Sequence, residues 1–478
     1  MADPIDILII GFGAVGTIYG YILSQNENVR VTAVARSSYD EMSKGITIES
    51  EKFGVIEDWK PYRLVKSAEE ANDRSYKYII ATFKCIPDLL PTSSILAPFL
   101  ESQFAEQVKP TVVLIQNGIG IEHPVQQAYP DVPIISVVAW IGANLKPGAK
   151  VTHGMLEKLI IGLYKGEGVE NEFNPSSGES SDAYADPAGY EQEGGAEREA
   201  EGVRRTHQFA ALLQGGGGGV EVVQDIQPAR YSKTIWNAAW SSICTLSRST
   251  VSAVVAPEVL PFTLPVVRRT MLEVLYVARA WGYTEDVLPM KAVDDAIKIT
   301  IKNYQRSSGQ QTPGTPGIRS DAFGSQGYGF PSGEESSIDS TINFKPSMLL
   351  DVENGRPCEL EVLIGSLLDR ARARGVATPR LDLVYASLKV HQDTVVRQYS
   401  QSEAHKEHIA DWLRRRPAVA GAGLEGRKAW EKAMKASAQA GEERVKVAMA
   451  RGKPKVGGKG VHMQEAEEEE ARNLERFD

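Results

Sequence analysis

Residues 5–16 run Ile5-Asp6-Ile7-Leu8-Ile9-Ile10-Gly11-Phe12-Gly13-Ala14-Val15-Gly16, and the fold is decided there. Five of the six residues before the first glycine are apolar, as a buried strand requires. Ala14 to Ser24 then reads as a helix. A G-x-G-x-x-G run between strand and helix is the arrangement that binds a dinucleotide. Gly11 permits the tight turn, Gly13 lets backbone approach a pyrophosphate, and Gly16 lets the helix pack closely on the strand. Phe12, Ala14 and Val15 complete the candidate cradle. The helix N-terminus adds free N–H groups and partial positive charge. A glycine-rich turn without a ligand is the bland alternative.

Outward from this stretch, Val29 to Ala35 forms a second strand that ends about 20 residues beyond the fingerprint. NAD-selective folds place Asp or Glu there for the ribose 2′-hydroxyl, whereas Arg suits a 2′-phosphate. Here the position holds Arg36, then Ser37 and Ser38, with no carboxylate before Asp40. A guanidinium pairs with phosphate through charge-assisted bonds that hydroxyls extend. NADP is expected over NAD; a solvated arginine at a strand end is the other reading. Tyr76 to Phe83 and Thr111 to Ile115 read as further buried strands. They run into Lys84 and into Gln116-Asn117-Gly118, at the carboxyl ends where open α/β sheets bind ligands. Lys84 suits a cofactor phosphate or ribose, and Asn117 suits nicotinamide or substrate. Taken alone, the same residues fit a surface lysine and an Asn-Gly turn. Pro133 to Val138 and Val151 to Gly162 complete the expected sheet.

A chain of 478 residues exceeds one ordinary core, so two domains with additions are expected. The net charge of −9 argues against a nucleic-acid partner reached through bulk charge. Three widely spaced cysteines, Cys85, Cys244 and Cys358, make neither a disulfide framework nor a zinc pattern. No apolar run reaches the roughly 20 residues that span a bilayer, and the N-terminus enters a buried strand without a signal peptide. A cytoplasmic protein with no membrane partner is expected.

Residues 166–205 are rich in Gly, Glu, Ser and Asp and read as a disordered insertion. Helical spacing resumes at Phe209, Leu212 and Leu213, and the run Gly215 to Gly219 reads as a flexible connector to a strand at Val220 to Val223. From Tyr231 the pattern is helical. At about 100° per residue, Ile235, Trp236, Ala239, Ile243 and Leu246 share one face. Lys233, Asn237 and Ser241 line another, four apart. A row of ammonium, amide and hydroxyl suits a small anionic carbonyl compound, and also an ordinary solvated face. Helices continue from Pro261 to Tyr304, and residues 305–338 read as a second disordered insertion. Ser347 stands near a helix start, Glu359 opens a helix with a strong apolar stripe, and Gly375 with Pro379 ends it. A helix from Leu381 to about Tyr399 closes the compact part. The expected division is a Rossmann-like α/β domain over 1–226, an all-α domain over 227–399, and a charged, partly helical or disordered tail over 400–478 whose partner is unknown.

Three fragments together resemble the ketopantoate reductase family: Gly11 to Gly16, the Lys-x3-Asn helix with Lys233 and Asn237, and Ser347-Met348-Leu349-Leu350-Asp351 followed by Glu359. Lys84 after a strand and Asn117-Gly118 match family positions as well. The resemblance covers roughly residues 5–164, 206–304 and 340–395. It implies an N-terminal NADP-binding Rossmann-like domain, an all-helical C-terminal domain, and a site in the cleft that reduces 2-dehydropantoate to pantoate with NADPH. Lys233 would be the general acid, charged at neutral pH with an ordinary pKa of about 10.4. Glu359 would act beside the cofactor ribose and substrate pocket. Asn117, Asn237, Ser241 and Ser347 would orient substrate, with Asn117, Arg36 and Lys84 holding cofactor. No metal is implied, and a homodimer is allowed. Ser241 departs from the second Asn that family members often carry, and this bears on the identity of the 2-keto acid more than on the reaction type. Two further readings stand: a reductase of a different 2-keto acid, and a non-catalytic NADP-sensing scaffold.

Overall fold

Strand β1 (Ile5–Ile10) pairs in parallel with β2 (Val29–Val34) on one side and β6 (Tyr78–Ala81) on the other. Both faces are therefore covered, which is why its sequence is almost continuously apolar. Ile7 and Ile9 point into one core with Ile18, Ile22 and Phe209, while Leu8 and Ile10 point into a second with Leu96, Phe99 and Val125. The computed structural model describes residues 4–166, 195–305 and 344–399. Among these, ten strands form one sheet. Besides β1, β2 and β6 it holds β3 (Ile46–Ser50), β4 (Gly54–Trp59), β5 (Arg63–Val65) and β7 (Thr111–Leu114). It is completed by β8 (Ile134–Lys146), β9 (Lys150–Leu163) and β10 (Val220–Val222). The order is β4-β3-β9-β8-β7-β6-β1-β2-β5, with β10 beside the second half of β9. Pairing is parallel from β5 through β8, and β8 with β9 forms a long antiparallel hairpin. A mixed sheet with helices in a Rossmann-like unit, followed by a helical unit, is the architecture.

Three strands, β3 to β5, fall where the sequence pointed to no element. Only β3 alternates buried and half-buried residues; β4 is exposed at the sheet edge and β5 is three residues long, so neither carries an apolar pattern. Strand β8 also runs farther than expected, through residues 139–146, whose burial grades from half-buried to exposed instead of continuing the fully buried run of residues 134–138.

The expected insertion over 166–205 is too long at its C-terminal end. Residues from 195 belong to the helix Gly195–Gly215, which sets Thr206, Phe209, Ala210 and Leu213 in the core. Its first turns are laced by Arg204 and Arg205 pairing with Glu201, and Lys165 pairs with Glu199 where β9 hands over to the segment leading to the helix. Those charges gave the stretch its disordered look. The glycines that follow are packed rather than flexible. A Cβ on Gly216 would lie 1.8 Å from the Ile22 carbonyl oxygen, and one on Gly219 2.7 Å from that of Glu157. Residues 167–194, 306–343 and 400–478, including most of both expected insertions and the tail, lie outside the described residues.

The helical unit begins with Gln227–Trp236, widens into a π turn over Asn237–Ser241, and resumes as Ser242–Ser247. The wider turn breaks the 3.6-residue phase on which the sequence pattern rests. Leu246, expected on the buried face, is exposed, whereas Arg230 and Trp240 are fully buried. A second π turn, Glu361–Gly365, leads into Ser366–Ala373 and touches the first. Around them pack Leu260–Ala280, Ser347–Glu353 and Pro379–Tyr399.

Candidate active site

The glycine turn divides its labour by geometry. Gly11 has φ +92°, and a Cβ there would stand 2.4 Å from the Phe83 nitrogen, so only glycine fits. A Cβ on Gly16 would approach the Thr82 hydroxyl at 2.9 Å and the Gly11 carbonyl at 3.0 Å, which is the close helix–strand contact. Gly13 is different: the nearest atom to its Cβ position is 4.0 Å away, leaving its outer face open. Gly13 also precedes the helix Ala14–Ser24, whose first turn has no side-chain cap and no acidic residue. Ala14 and Val15 are half-buried, and Phe12 turns inward against Trp59. An open backbone face at an uncapped helix N-terminus fits a pyrophosphate. Arg36 is exposed just past β2, with Ser37 beside it, while Asp40 pairs with Lys66. That end of the sheet fits a 2′-phosphate.

Three of the sequence-predicted residues meet through side-chain hydrogen bonds. The Lys233 ammonium donates to Asn117 Oδ1 at 2.8 Å and to the Ala139 carbonyl at 2.5 Å. Asn117 Nδ2 donates to Glu359 Oε2 at 3.0 Å, and the Cys85 amide donates to Glu359 Oε1 at 3.3 Å. The amide of Asn117 thus stands between ammonium and carboxylate, with its two ends assigned by its neighbours. These residues come from just past the ends of β6 and β7, from the middle of β8, from the Gln227–Trp236 helix, and from the segment before the second π turn. Lys233 also lies over the Trp140 ring, 5.6 Å from its centroid.

One expectation fails here. Lys233 does not keep an ordinary lysine pKa: burial pushes it down to about 8, Glu359 working against the shift and Arg230 with it. The sequence shows no sign of this, because desolvation belongs to the folded neighbourhood.

Lys84 is ion-paired with buried Asp351 of the helical unit. Asn237 and Ser241 bracket the first π turn, and the helix opened by exposed Ser347 packs on that turn. The side chains of Asn237, Ser241 and Ser347 make no hydrogen bond to Lys233, Asn117 or Glu359 among the described residues. Sequence reasoning missed Arg230, Glu122, Trp140 and the Ala139 carbonyl. Arg230 carried a usable signal, since it lies three before Lys233 and so shares its side of the helix. A carbonyl carries none.

The loop bearing Asn117 is pressed into place from several sides. A Cβ on Gly118 would be 2.4 Å from the Val362 carbonyl oxygen, and one on Gly120 2.4 Å from Arg370 Nη2. The Ile119 amide donates to that same Val362 carbonyl at 2.9 Å. The helical unit therefore fixes an N-terminal-unit loop directly.

Among the described residues no helix is long and apolar enough to cross a membrane. Two family models match the chain, one described as ketopantoate reductase PanE/ApbA over residues 7–166 and one as its C-terminal domain over residues 225–392. An uncharacterized protein of Saccharomyces cerevisiae is 25% identical over 81% of this chain and 93% of its own length. A 2-dehydropantoate 2-reductase of Nostoc sp. is 22% identical over 80% of this chain and 93% of its own. The crystal structure of 2-dehydropantoate 2-reductase from Methylococcus capsulatus is similar with a TM-score of 0.57 and 25% identity, covering 84% of this chain and 99% of that one.

Proposed function

The chain belongs to the ketopantoate reductase PanE/ApbA family of NADP(H)-dependent oxidoreductases acting on CH–OH donors, and on that premise we propose that it reduces a small 2-keto acid, ketopantoate before others, with Lys233 as general acid. The observation that carries this reading is the Lys233–Asn117–Glu359 run at the carboxyl ends of the strands. NADPH, when bound, supplies the hydride to the keto carbon. Gly11, Phe12, Gly13, Ala14, Val15 and Gly16 would hold its pyrophosphate, and Arg36 its 2′-phosphate. Lys84 would serve the same cofactor on exchanging Asp351 for it.

As the keto oxygen gains charge, the Lys233 ammonium donates its proton to it. A group whose pKa has fallen to about 8 gives up that proton more readily than an ordinary lysine, yet still carries it at neutral pH. Asn117 Oδ1 and the Ala139 carbonyl aim the ammonium. Glu359 orients the Asn117 amide and holds Lys233 charged against the pull of burial. Asn237, Ser241 and Ser347 would receive the substrate's carboxylate and hydroxyl groups. With ketopantoate as substrate, the product is pantoate and the step belongs to pantothenate biosynthesis.

The test is NADPH oxidation by the purified chain across a panel of 2-keto acids, with Lys233→Ala beside it. Turnover of ketopantoate that falls by about 10²–10⁴-fold in the variant, with NADPH still bound, supports the reading. Fastest turnover on another 2-keto acid moves the substrate and keeps the chemistry. Tight NADPH binding without turnover on any of them favours the cofactor-sensing scaffold.

A further inference from the structure

Arg230 stands one helical turn before Lys233 and has almost no contact with solvent. Its guanidinium is spread over five acceptors. Nε donates to Ser136 Oγ at 2.7 Å and lies 2.7 Å from Glu122 Oε1. Nη1 donates to the carbonyls of Gln116 and Gly118, each at 3.0 Å, and Nη2 to that of Val137 at 3.1 Å. Glu122, fully buried, also accepts from Ser136 and, at 3.3 Å, from Gln227 Nε2. The two carbonyls that flank Asn117 are thus tied to one group, and so is the strand two residues before Ala139. Asn117 and Ala139 are the two acceptors of Lys233.

We propose that Arg230, anchored by Glu122, is a positioning residue for the reduction: it fixes both acceptors that aim the Lys233 ammonium at the reacting oxygen. The inference rests on Lys233 as proton donor. A buried Arg–Glu pair adds little stability over an apolar filling of the same shape. What the planar fork supplies is direction, since it holds two carbonyls at once where a lysine is a single point of charge. The same geometry has an electrostatic side. Two charged groups act on Lys233, Glu359 across the Asn117 amide and Arg230 on its own helix; Glu122 pairs with Arg230 from behind, and the Trp140 ring covers another side.

Two near-isosteric variants of the full chain separate positioning from mere structure, since removing either partner outright leaves an unpaired buried charge. Arg230→Lys keeps the charge and loses the fork. We expect kcat with ketopantoate to fall by about 10–100-fold while KM for NADPH stays within about twofold, as for a small misplacement of a catalytic group. Glu122→Gln keeps the shape and exposes Lys233 to the full charge of Arg230. The pH midpoint for acetylation of Lys233 by acetic anhydride, read by peptide mass spectrometry, then moves down by about one unit. That labelling needs no turnover, so it reports even if ketopantoate is not the substrate. An unchanged kcat in Arg230→Lys together with an unmoved midpoint in Glu122→Gln would overturn the proposal. Parallel loss of kcat, NADPH affinity and cooperative melting in both variants would overturn it too, in favour of a purely structural pair. If Lys233→Ala retains full activity, it is the general-acid reading that fails.

Discussion

At the scale of single residues, Lys233, the general acid of the proposed reduction, is a charged group held against the pull of burial. On that proposal its protonated form does the work, and its folded pKa of about 8 lies below the unfolded value. Activity should therefore fall as pH rises through 8, giving an alkaline limb in kcat/KM with a midpoint near 8. Glu359→Gln should move that limb to lower pH, because Glu359 is what holds Lys233 up against burial. Stability follows the opposite sign. Below pH 8 the folded chain keeps a charge in a place that disfavours it, so Lys233→Met should raise the melting temperature by about 2–4 °C at pH 7 while abolishing turnover. Thermal denaturation beside the NADPH assay checks both halves. Lys233, Asn117 and Glu359 were all legible as residue types in a pattern. Their order of contact was not, because Asn117 lies 116 residues before Lys233 and 242 before Glu359, and only the folded loop shows that the amide stands between the other two.

At the scale of elements, the glycine turn separates folding from binding. Gly13→Ala has open space for its Cβ and an extended backbone, so it should melt like the parent, within about 0.5 kcal/mol. The added methyl would occupy the face proposed to take the pyrophosphate, and NADPH affinity measured by fluorescence titration should drop at least about tenfold, roughly 1.4 kcal/mol. Gly11→Ala meets the Phe83 backbone at a left-handed φ and should lose stability itself. Equal melting of the two variants would refute this division. Strand β1 and the first helix were plain in the sequence because buried parallel strands and glycine turns leave strong patterns. The helix Gly195–Gly215 was half hidden. Its outer face is written in Glu and Arg pairs, and composition alone cannot tell a charged helix from a disordered run. The two π turns were invisible for a related reason, since periodicity assumes the very phase that they break.

At the scale of the whole molecule, the loop after β6 joins the two units. Within five residues, Lys84 pairs with Asp351, the Cys85 amide meets Glu359, and Asp88 meets both Lys389 and Gln392. Lys389 also pairs with buried Glu361, to which Tyr385 donates at 3.0 Å, and Gln392 clasps the backbone of Cys358, one residue before Glu359. One ammonium thus serves two buried carboxylates. Lys389→Met should destabilise the chain by about 3–5 kcal/mol in urea unfolding, because it strands both. The sequence could suggest two domains and the order in which they follow. It could not show that a cofactor-side loop and the Glu359 segment are tied by shared charges, since Asp88 and Lys389 lie 301 residues apart. The ion pair of Lys165 with Glu199 has a practical corollary. It ties residue 165, just past β9, to the first turns of the helix Gly195–Gly215, so the described residues that border 167–194 are tethered far along the strand from the tip of the β8–β9 hairpin. The protein therefore offers a ready port for grafting: a fluorescent reporter or affinity module exchanged for that segment would enter and leave at one tethered spot, and the host's NADPH turnover should survive the exchange.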